Sequence, residues 1–221
     1  SECDWIVEVV LEDLDIKHTT YEKIAKHRKK GSIVSSNTST ILLSKLTQGM
    51  DKDMLKNFMI THFFNPVRYM RLLEIVVGDK TRDDAVSVVR EFCDKDLGKG
   101  VVMANDTPGF IVNRVARPFY GEALRIYEEG LADFATIDWS LKTLGGFRMG
   151  PFELMDFIGN DVNYIVTETV FKAFYYDQRY KPAFTQKRLS EAGYYGRKSG
   201  KGYYDYSKNA VNPEPHKDKE L

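Results

Sequence analysis

The sequence predicts an α/β half followed by a mainly helical half. Short apolar segments alternate with helical patterns up to about residue 105, whereas only helical spacing follows Asp106. With 221 residues, 43% of them hydrophobic, the chain can bury the core of one large or two small domains. We therefore predict an α/β domain over 1–105, a helical domain over 106–207, and a polar tail or linker over 208–221.

The first half reads as five strands separated by helices. Gly31 follows a run of basic residues and closes the first helix, and Thr38 or Ser39 caps the second. Alternation of this kind is typical of parallel strands joined by crossover helices. The predicted strands are 4–10, 32–37, 58–64, 72–78 and 100–105, and the predicted helices are 14–31, 39–49, 51–57 and 81–97.

The second half reads as a series of helices. The first begins with Thr107 as its N-cap and Pro108 in its first turn, and it continues to Gly130. Each later helix lies near a glycine or a proline, and no alternating strand pattern separates them. These later helices are predicted over 134–144, 151–176 and 182–192.

The overall charge identifies no partner. Thirty-two basic residues balance 32 acidic ones, so no overall charge recruits nucleic acid or an anionic membrane, and a local basic patch is the alternative. We expect neither partner. Cys3 and Cys93 have neither metal-ligand nor redox spacing, and we expect no metal. The sequence contains no signal peptide and no apolar run long enough for a membrane span. We expect a cytoplasmic protein.

Polar residues at the ends of predicted strands are candidates for a site, because open parallel sheets bind ligands beyond the carboxyl ends of their strands. Ser39 follows the second strand, in "SSNTST", and His62 and Asn65 end the third. Glu74 comes twelve residues after His62, near the start of the next strand. A carboxylate beside a histidine orients the imidazole and suits a general base. The alternatives are a hydrogen-bonded core histidine, a surface carboxylate, and a helix cap at Ser39.

Two features of the second half are further candidates. Asn113 lies one turn into a predicted helix, where asparagine is unfavourable, so a ligand, another chain segment or solvent holds its amide. "GRKSGKG" (196–202) lacks the spacing of a phosphate-binding loop and is predicted as a turn from which Lys198 reaches a ligand.

Six segments in order resemble the 3-hydroxyacyl-CoA dehydrogenase family over nearly the whole chain. Their order and compatible spacing make the resemblance specific, although each is weak alone. The segments are "SNTST" (36–40), "HFFNPV" (62–67), "LLEIV" (72–76), "DTPGFIVNRV" (106–115), "MGPFELMDFIG" (149–159) and "GRKSGKGYYDY" (196–206).

The resemblance implies the C-terminal part of a Rossmann-like NAD-binding domain, then a helical dimerisation domain like that of 6-phosphogluconate dehydrogenase. It implies NAD-linked oxidation of an L-3-hydroxyacyl-CoA, such as 3-hydroxybutyryl-CoA, to the 3-ketoacyl-CoA in fatty acid β-oxidation. It also implies an acyl-CoA substrate and a homodimer formed through the helical domain.

The resemblance also assigns roles to individual residues. It implies that His62 is the general base, Glu74 its partner, and Ser39 and Asn113 the residues that contact the substrate. The residues it places on NAD are Glu12, Lys17, Ser39, Asn65 and Lys198.

One family feature is absent from the sequence. Family members begin with a βαβ unit that carries G-x-G-x-x-G and holds the pyrophosphate of NAD, but no G-x-G-x-x-G occurs here. We therefore expect the first half of the dinucleotide domain to be missing and this chain to be poorly active by itself. The alternatives are a dehydrogenase of the same fold acting on a free hydroxy acid or sugar acid, and a non-catalytic dimerisation fragment.

Overall fold

The apolar segments of the first half pair into one five-stranded sheet with strand order β1-β2-β3-β4-β5. A computed structural model describes residues 2–217 and divides into two units between Val112 and Asn113. The elements of the first unit are β1 (Trp5–Glu8), α1 (Leu14–His27), β2 (Ile33–Ser36), α2 (Leu43–Leu46), α3 (Lys52–Lys56), β3 (Phe58–Phe63), β4 (Leu72–Val77), α4 (Asp83–Glu91) and β5 (Gly100–Ala104).

Both faces of the sheet are covered by buried apolar side chains. Neighbouring residues of a strand point to opposite faces, so they belong to different clusters. Ile60 and Val76 pack in one fully buried cluster, whereas Met59 and Ile75 pack in another. The two clusters explain why these strands are apolar without alternation.

The prediction of parallel strands is wrong for one pair. β1, β2 and β3 are parallel, as are β4 and β5, but β3 and β4 are antiparallel. Residues 64–71, which connect β3 to β4, are too few for the crossover that a parallel pair needs.

Two predicted helices of the first unit are shorter than expected. The first ends at His27, and Gly31 (φ +78°) lies in the turn that follows. The second, predicted over 39–49, is reduced to α2, because the amides of Ser39 and Thr40 bind the Glu12 carboxylate instead of joining a helix. The helix predicted over 81–97 continues beyond α4 as a short π-helix at Phe92–Asp96.

The second unit is helical, as predicted. Its core is built by Tyr120 and Leu124 of α5, which pack against Phe152 and Met155 of α7. Its helices are α5 (Val112–Glu128, which starts at the last residue of the first unit), α6 (Phe134–Thr143), α7 (Pro151–Ile158), α8 (Asn160–Ala173) and α9 (Phe184–Glu191).

Two predicted helix boundaries in this half are wrong. The long helix begins at Val112 and not after Thr107, because Gly109 (φ +75°) and Phe110 (φ +49°) have left-handed backbone. The helix predicted over 151–176 is divided into α7 and α8 at Gly159, whose φ of +109° does not continue a helix.

The predicted tail contacts α6 as far as the structure describes it. His216 donates its backbone amide to Thr136 Oγ1 at 2.9 Å, and its ring Nε2 lies 3.2 Å from Asp133 Oδ2. The end of the predicted tail, 218–221, lies outside the described residues. Within 2–217, no helix combines the length and apolarity needed to cross a membrane.

Candidate active site

His62 and Glu74 form a buried pair on adjacent strands. The antiparallel register places His62 of β3 directly opposite Glu74 of β4. His62 Nδ1 lies 2.7 Å from Glu74 Oε2, and the two residues are 4% and 0% exposed. The alternative of a surface carboxylate therefore does not describe Glu74, whereas His62 is buried and hydrogen-bonded, as it would also be in the alternative of a core histidine.

The second carboxylate oxygen of Glu74 also accepts hydrogen bonds. Glu74 Oε1 accepts hydrogen bonds from the backbone amides of Ile111 and Val112, both at 2.9 Å. A carboxylate oxygen accepts hydrogen bonds, so we assign the His62 Nδ1 proton to the bond with Glu74 Oε2.

This tautomer leaves the other ring nitrogen as an acceptor. His62 Nε2 lies 3.0 Å from Ser39 Oγ, whose hydroxyl can donate to it. The rings of Phe64 and Phe110 lie against the imidazole, with centroid distances of 4.5 and 5.5 Å. His62 Nε2 thus presents a lone pair in an apolar surrounding, which is the arrangement that a proton acceptor requires.

Glu12 holds the loop that carries Ser39. Glu12 Oε1 accepts from the amides of Ser39 and Thr40 at 2.9 and 2.8 Å, and from the hydroxyl of Thr38 at 2.6 Å. Burial alone would raise the pKa of Glu12, but these hydrogen bonds and the charge of Lys17 hold it below its ordinary value. A continuous chain of hydrogen bonds therefore links Glu12, Ser39, His62 and Glu74.

Lys17 is not free to meet a ligand in this structure. Its side chain is 1% exposed, and Lys17 Nζ lies 2.9 Å from Glu8 Oε1. Glu8 Oε2 also accepts from the hydroxyls of Tyr21 and Ser36, both at 2.7 Å. The pair of Lys17 and Glu8 therefore packs α1 onto the ends of β1 and β2, close in the chain to Glu12.

The remaining predicted residues are not members of this chain of hydrogen bonds. Asn65 is exposed just after β3. Asn113 and Lys198 belong to the second unit, where Asn113 is half-buried near the start of α5. Lys198 Nζ lies 2.6 Å from Asp161 Oδ1, so its ammonium is already paired.

Sequence reasoning missed Glu8 and the two amides that hold Glu74. The signal for Glu8 was present, because it is the single charged residue in the apolar segment "WIVEVV". The backbone amides of Ile111 and Val112 carry no such signal, since any residue other than proline supplies one.

The fold and the His62–Glu74 pair together indicate a class of protein. A largely parallel sheet with a histidine–carboxylate pair near its strand ends, followed by a helical unit, is the architecture of two-domain dehydrogenases. Residues 1–107 match the model of the 3-hydroxyacyl-CoA dehydrogenase NAD-binding domain, and residues 109–206 match that of the family's C-terminal domain. The chain belongs to the 3-hydroxyacyl-CoA dehydrogenase family, which confirms the predicted family and fold class.

Curated relatives agree with this assignment. The chain is 40% identical over 205 residues to 3-hydroxyadipyl-CoA dehydrogenase of Escherichia coli K12, covering 92% of this chain and 42% of that protein. It is 35% identical to a probable 3-hydroxybutyryl-CoA dehydrogenase of Deinococcus radiodurans, covering 93% of this chain and 73% of that protein. The chain thus spans less than half of the first relative.

Solved structures agree with the fold. A crystal structure of 3-hydroxybutyryl-CoA dehydrogenase from Escherichia coli K12 superposes with a TM-score of 0.87 at 38% identity, covering 95% of this chain and 44% of that one. A crystal structure of (S)-3-hydroxybutyryl-CoA dehydrogenase from Ralstonia eutropha gives 0.84 at 36% identity, covering 93% and 71%.

Proposed function

We propose that this chain carries the catalytic residues of an NAD-dependent L-3-hydroxyacyl-CoA dehydrogenase that acts on short-chain substrates such as 3-hydroxybutyryl-CoA. The observation that carries the proposal is the His62–Glu74 pair, with Nδ1 held at 2.7 Å and Nε2 facing a hydroxyl at 3.0 Å. The Deinococcus radiodurans and Ralstonia eutropha relatives, which bear 3-hydroxybutyryl-CoA dehydrogenase names, support the short chain length.

In this proposal His62 is the general base. Its Nε2 takes the proton of the substrate 3-hydroxyl as the C3 hydride departs, and it returns the proton in the reverse reaction. Ser39 Oγ, now on Nε2, donates to the substrate oxygen. Glu74 stabilises the imidazolium that forms and keeps Nδ1 protonated throughout, so it acts as a positioning residue.

NAD supplies the hydride acceptor when it is bound. The residues of this chain fit one end of that cofactor: Ser39 and Asn65 follow parallel strands, where an open sheet binds its ligands. Glu12 and Lys17 support the proposed cofactor site indirectly. Glu12 holds the loop that carries Ser39, and Lys17 pairs with Glu8 at the end of β1. We propose Lys198 as a further cofactor contact, which requires it to leave Asp161.

The pyrophosphate of NAD has no glycine-rich loop in this sequence. Backbone amides of such a loop provide directional hydrogen bonds that isolated lysines do not replace. We therefore expect the 221-residue chain by itself to turn over poorly. Adding a βαβ unit with G-x-G-x-x-G in front of it is expected to restore turnover.

The helical unit has two proposed roles. Asn113 contacts the substrate, and exposed apolar side chains form a surface through which two copies pair. Val115, Ile165 and Phe184 are 68%, 59% and 79% exposed, which supports burial of this surface in a homodimer. Sedimentation of the purified protein as a monomer would contradict the dimer.

The experiment that tests the function is NADH oxidation with acetoacetyl-CoA. It compares the chain by itself, the chain extended by the G-x-G-x-x-G unit, and the extended chain with His62→Gln. His18→Gln is the matched control, because His18 bonds to Lys45 O and packs on the ring of Tyr21, outside the chain of hydrogen bonds that contains His62. We expect the extended chain and the control to turn over, and His62→Gln to lose about 10²- to 10⁴-fold in kcat. No turnover by the extended chain, or full activity of His62→Gln, would overturn the proposal.

A further inference from the structure

A cavity of about 250 Å³ opens in the first unit at the amino end of β2. Its walls are residues 29–33, which lead into β2, and the start of α4, together with Asp4. β2 is parallel to β3, whose carboxyl end carries His62. The cavity therefore lies at the opposite end of the sheet from the candidate active site, and the proposed function does not use it.

One hydroxyl in the wall of the cavity has no partner. Ser32 is 4% exposed, and its Oγ forms no hydrogen bond with any residue in 2–217. Ser35, three residues further along, is also buried, but its Oγ accepts from Trp5 Nε1 at 2.9 Å and from Thr61 Oγ1 at 2.8 Å. A buried hydroxyl without a partner is costly, and the cavity that Ser32 lines is the place from which a partner can come.

The two carboxylates at the cavity are already neutralised by cations. Asp4 Oδ1 lies 2.7 Å from Lys29 Nζ, and Asp84 Oδ2 lies 3.2 Å from Arg82 Nη1. Both pairs belong to the wall, so their charges cancel there.

Lys30 adds a positive charge that is not cancelled in this way. Its side chain is exposed and forms no hydrogen bond or ion pair within the described part of the chain. The amide of Gly31, Arg28 and the charge of Lys30 together hold the pKa of Asp53 below its ordinary value, but the hydrogen bonds to that carboxylate come from Gly31 and Arg28. The ammonium of Lys30 is therefore available to a ligand.

α4 begins at the same wall with unpaired backbone amides. Its N-cap, Arg82, provides no side-chain acceptor, and first-turn amides have no partner inside a helix. Asp83 and Asp84 lie in this first turn, but among residues 2–217 no acceptor is found for the amides of Asp84 and Ala85. The start of a helix carries a partial positive charge and binds anions.

The donors at this cavity come from two segments and suit an anion with several oxygens. The cavity has room for more than a single water, whose share of liquid volume is about 30 Å³. A phosphate group has oxygens that face several directions, whereas the two oxygens of a carboxylate lie in one plane and match a planar fork. We propose that this cavity binds a phosphate group, with Lys30, Ser32 and the first amides of α4 as its donors.

Two sources of that phosphate are possible, inorganic phosphate and a small phosphomonoester. Val88, which is 60% exposed, gives the wall an apolar part against which an organic group can pack. Binding of phenyl phosphate more tightly than inorganic phosphate would identify a phosphomonoester, and equal affinity would identify the free ion.

The test measures binding to the 221-residue chain itself, without substrate or cofactor, so it does not depend on the proposed function. Calorimetry gives the affinities for inorganic phosphate and phenyl phosphate, with acetate and phenol as the comparison ligands. Amide NMR locates the site. We expect both phosphates to shift the amides of Ser32, Asp84 and Ala85, and acetate and phenol to bind at least about 10-fold more weakly.

Variants of the wall separate this site from general attraction of anions. We expect Lys30→Gln and Ser32→Ala each to weaken phosphate binding about 3- to 10-fold. Asp84→Asn should strengthen it about 3-fold, because it removes a negative charge from the wall. Lys23→Gln is the matched control, since Lys23 is an exposed lysine on α1 outside the cavity. Ser32→Ala removes no hydrogen bond within the described residues, so its fold is expected to be kept.

Three results would overturn the inference. The first is a wild type that binds neither phosphate. The second is a set of shifts at Ser39 and Thr40 in place of the cavity amides, which would assign the anion to the candidate active site. The third is equal phosphate affinity in Lys30→Gln, Ser32→Ala and Lys23→Gln, which would mean that water alone fills the cavity.

Discussion

Glu74 and Arg117 are both almost completely buried charges, but their surroundings differ. Both oxygens of Glu74 are occupied by His62 and two backbone amides at 2.7–2.9 Å. Among residues 2–217, the acceptors of Arg117 lie on Nη1, and its Nε is buried without a partner. Within this described part of the chain, Glu74 therefore has partners for both oxygens, whereas Arg117 lacks one for Nε.

The difference in hydrogen-bond partners means that the two buried charges affect the protein in different ways. A fully bonded carboxylate holds the imidazole in one orientation before any substrate arrives, so the geometry is fixed in advance. A buried guanidinium with an unpaired donor instead carries a desolvation cost that its other hydrogen bonds do not fully offset. Mutations at the two positions should therefore affect activity and stability in different ways.

The largest expected effect is on activity in Glu74→Gln. The glutamine carbonyl can keep the amides of Ile111 and Val112, but its NH₂ then donates to His62 Nδ1. This forces the imidazole proton onto Nε2 and removes the base, so we expect kcat to fall about 10²- to 10⁴-fold. Steady-state kinetics and the ¹⁵N shifts of the ring measure the two effects.

Glu91→Gln is the control for this change, because Glu91 is paired with Lys95 on the surface. If Glu74→Gln kept kcat within threefold of the wild type while the ring kept its Nδ1 proton, the carboxylate would have no role in orienting the base.

The next largest expected effect is on stability, and it tests the comparison of Glu74 with Arg117 directly. Glu74→Leu leaves the two amides and His62 Nδ1 without a partner, so we expect it to lower the free energy of unfolding by about 3–5 kcal/mol. Arg117→Met removes a charge whose acceptors have other bonds, since Asn163 O keeps the Thr167 hydroxyl at 2.7 Å. We expect a change within about 1 kcal/mol of zero.

Urea unfolding of the two variants beside the wild type measures this difference. Equal losses of unfolding free energy in Glu74→Leu and Arg117→Met would mean that the hydrogen bonds of Arg117 stabilise the fold as much as those of Glu74 do.

A smaller effect is expected at Ser39, one step further along the chain of hydrogen bonds. Ser39→Ala removes the hydroxyl that faces His62 Nε2 but leaves the Glu74 contacts intact. We expect kcat/KM to fall about 3- to 10-fold, the value of one neutral hydrogen bond. Ser44→Ala, on an exposed residue of α2, is the control. A loss as large as that of Glu74→Gln would assign Ser39 a direct part in proton transfer.

The smallest effect is expected at Glu12 and depends on pH. Because the folded pKa of Glu12 is below its ordinary value of 4.5, its contribution to stability is complete above that value and is lost as the pH falls through the folded pKa. The side chain is 38% exposed, so solvent screens part of this effect. We expect Glu12→Gln to cost about 1 kcal/mol at neutral pH, and the difference from the wild type to disappear in acid.

Urea midpoints of both proteins from neutral to acidic pH give the measurement. A difference that grows as the pH falls would have the wrong sign for a carboxyl with a lowered pKa.

The sequence predicts which residues form the candidate site better than it predicts how the fold holds them together. His62 stands out because it is polar in an apolar strand, and Glu74 because it lies in the next strand. Their pairing depends on an antiparallel register that alternation of strands and helices does not reveal. The loop at Ser39 was predicted as a helix, because capping residues have the same composition as a loop held by a distant carboxylate.

Arg117 could have been found by helical spacing. It lies three and seven residues before Tyr120 and Leu124, on the buried face of α5, where a charged residue is unusual. Its missing partners could not be predicted, because they depend on which side chains of α8 and α9 surround it.

The register of β3 against β4 also constrains how the proposed activity could be lost in this lineage. A shift by one residue would turn Glu74 to the opposite face and would carry Ile75 and Val76 out of their clusters at the same time. Selection for a folded protein therefore preserves the position of the proposed base even when selection for catalysis has ceased. Inactive descendants should differ in the side chains at 62 and 74 and keep the strands that carry them.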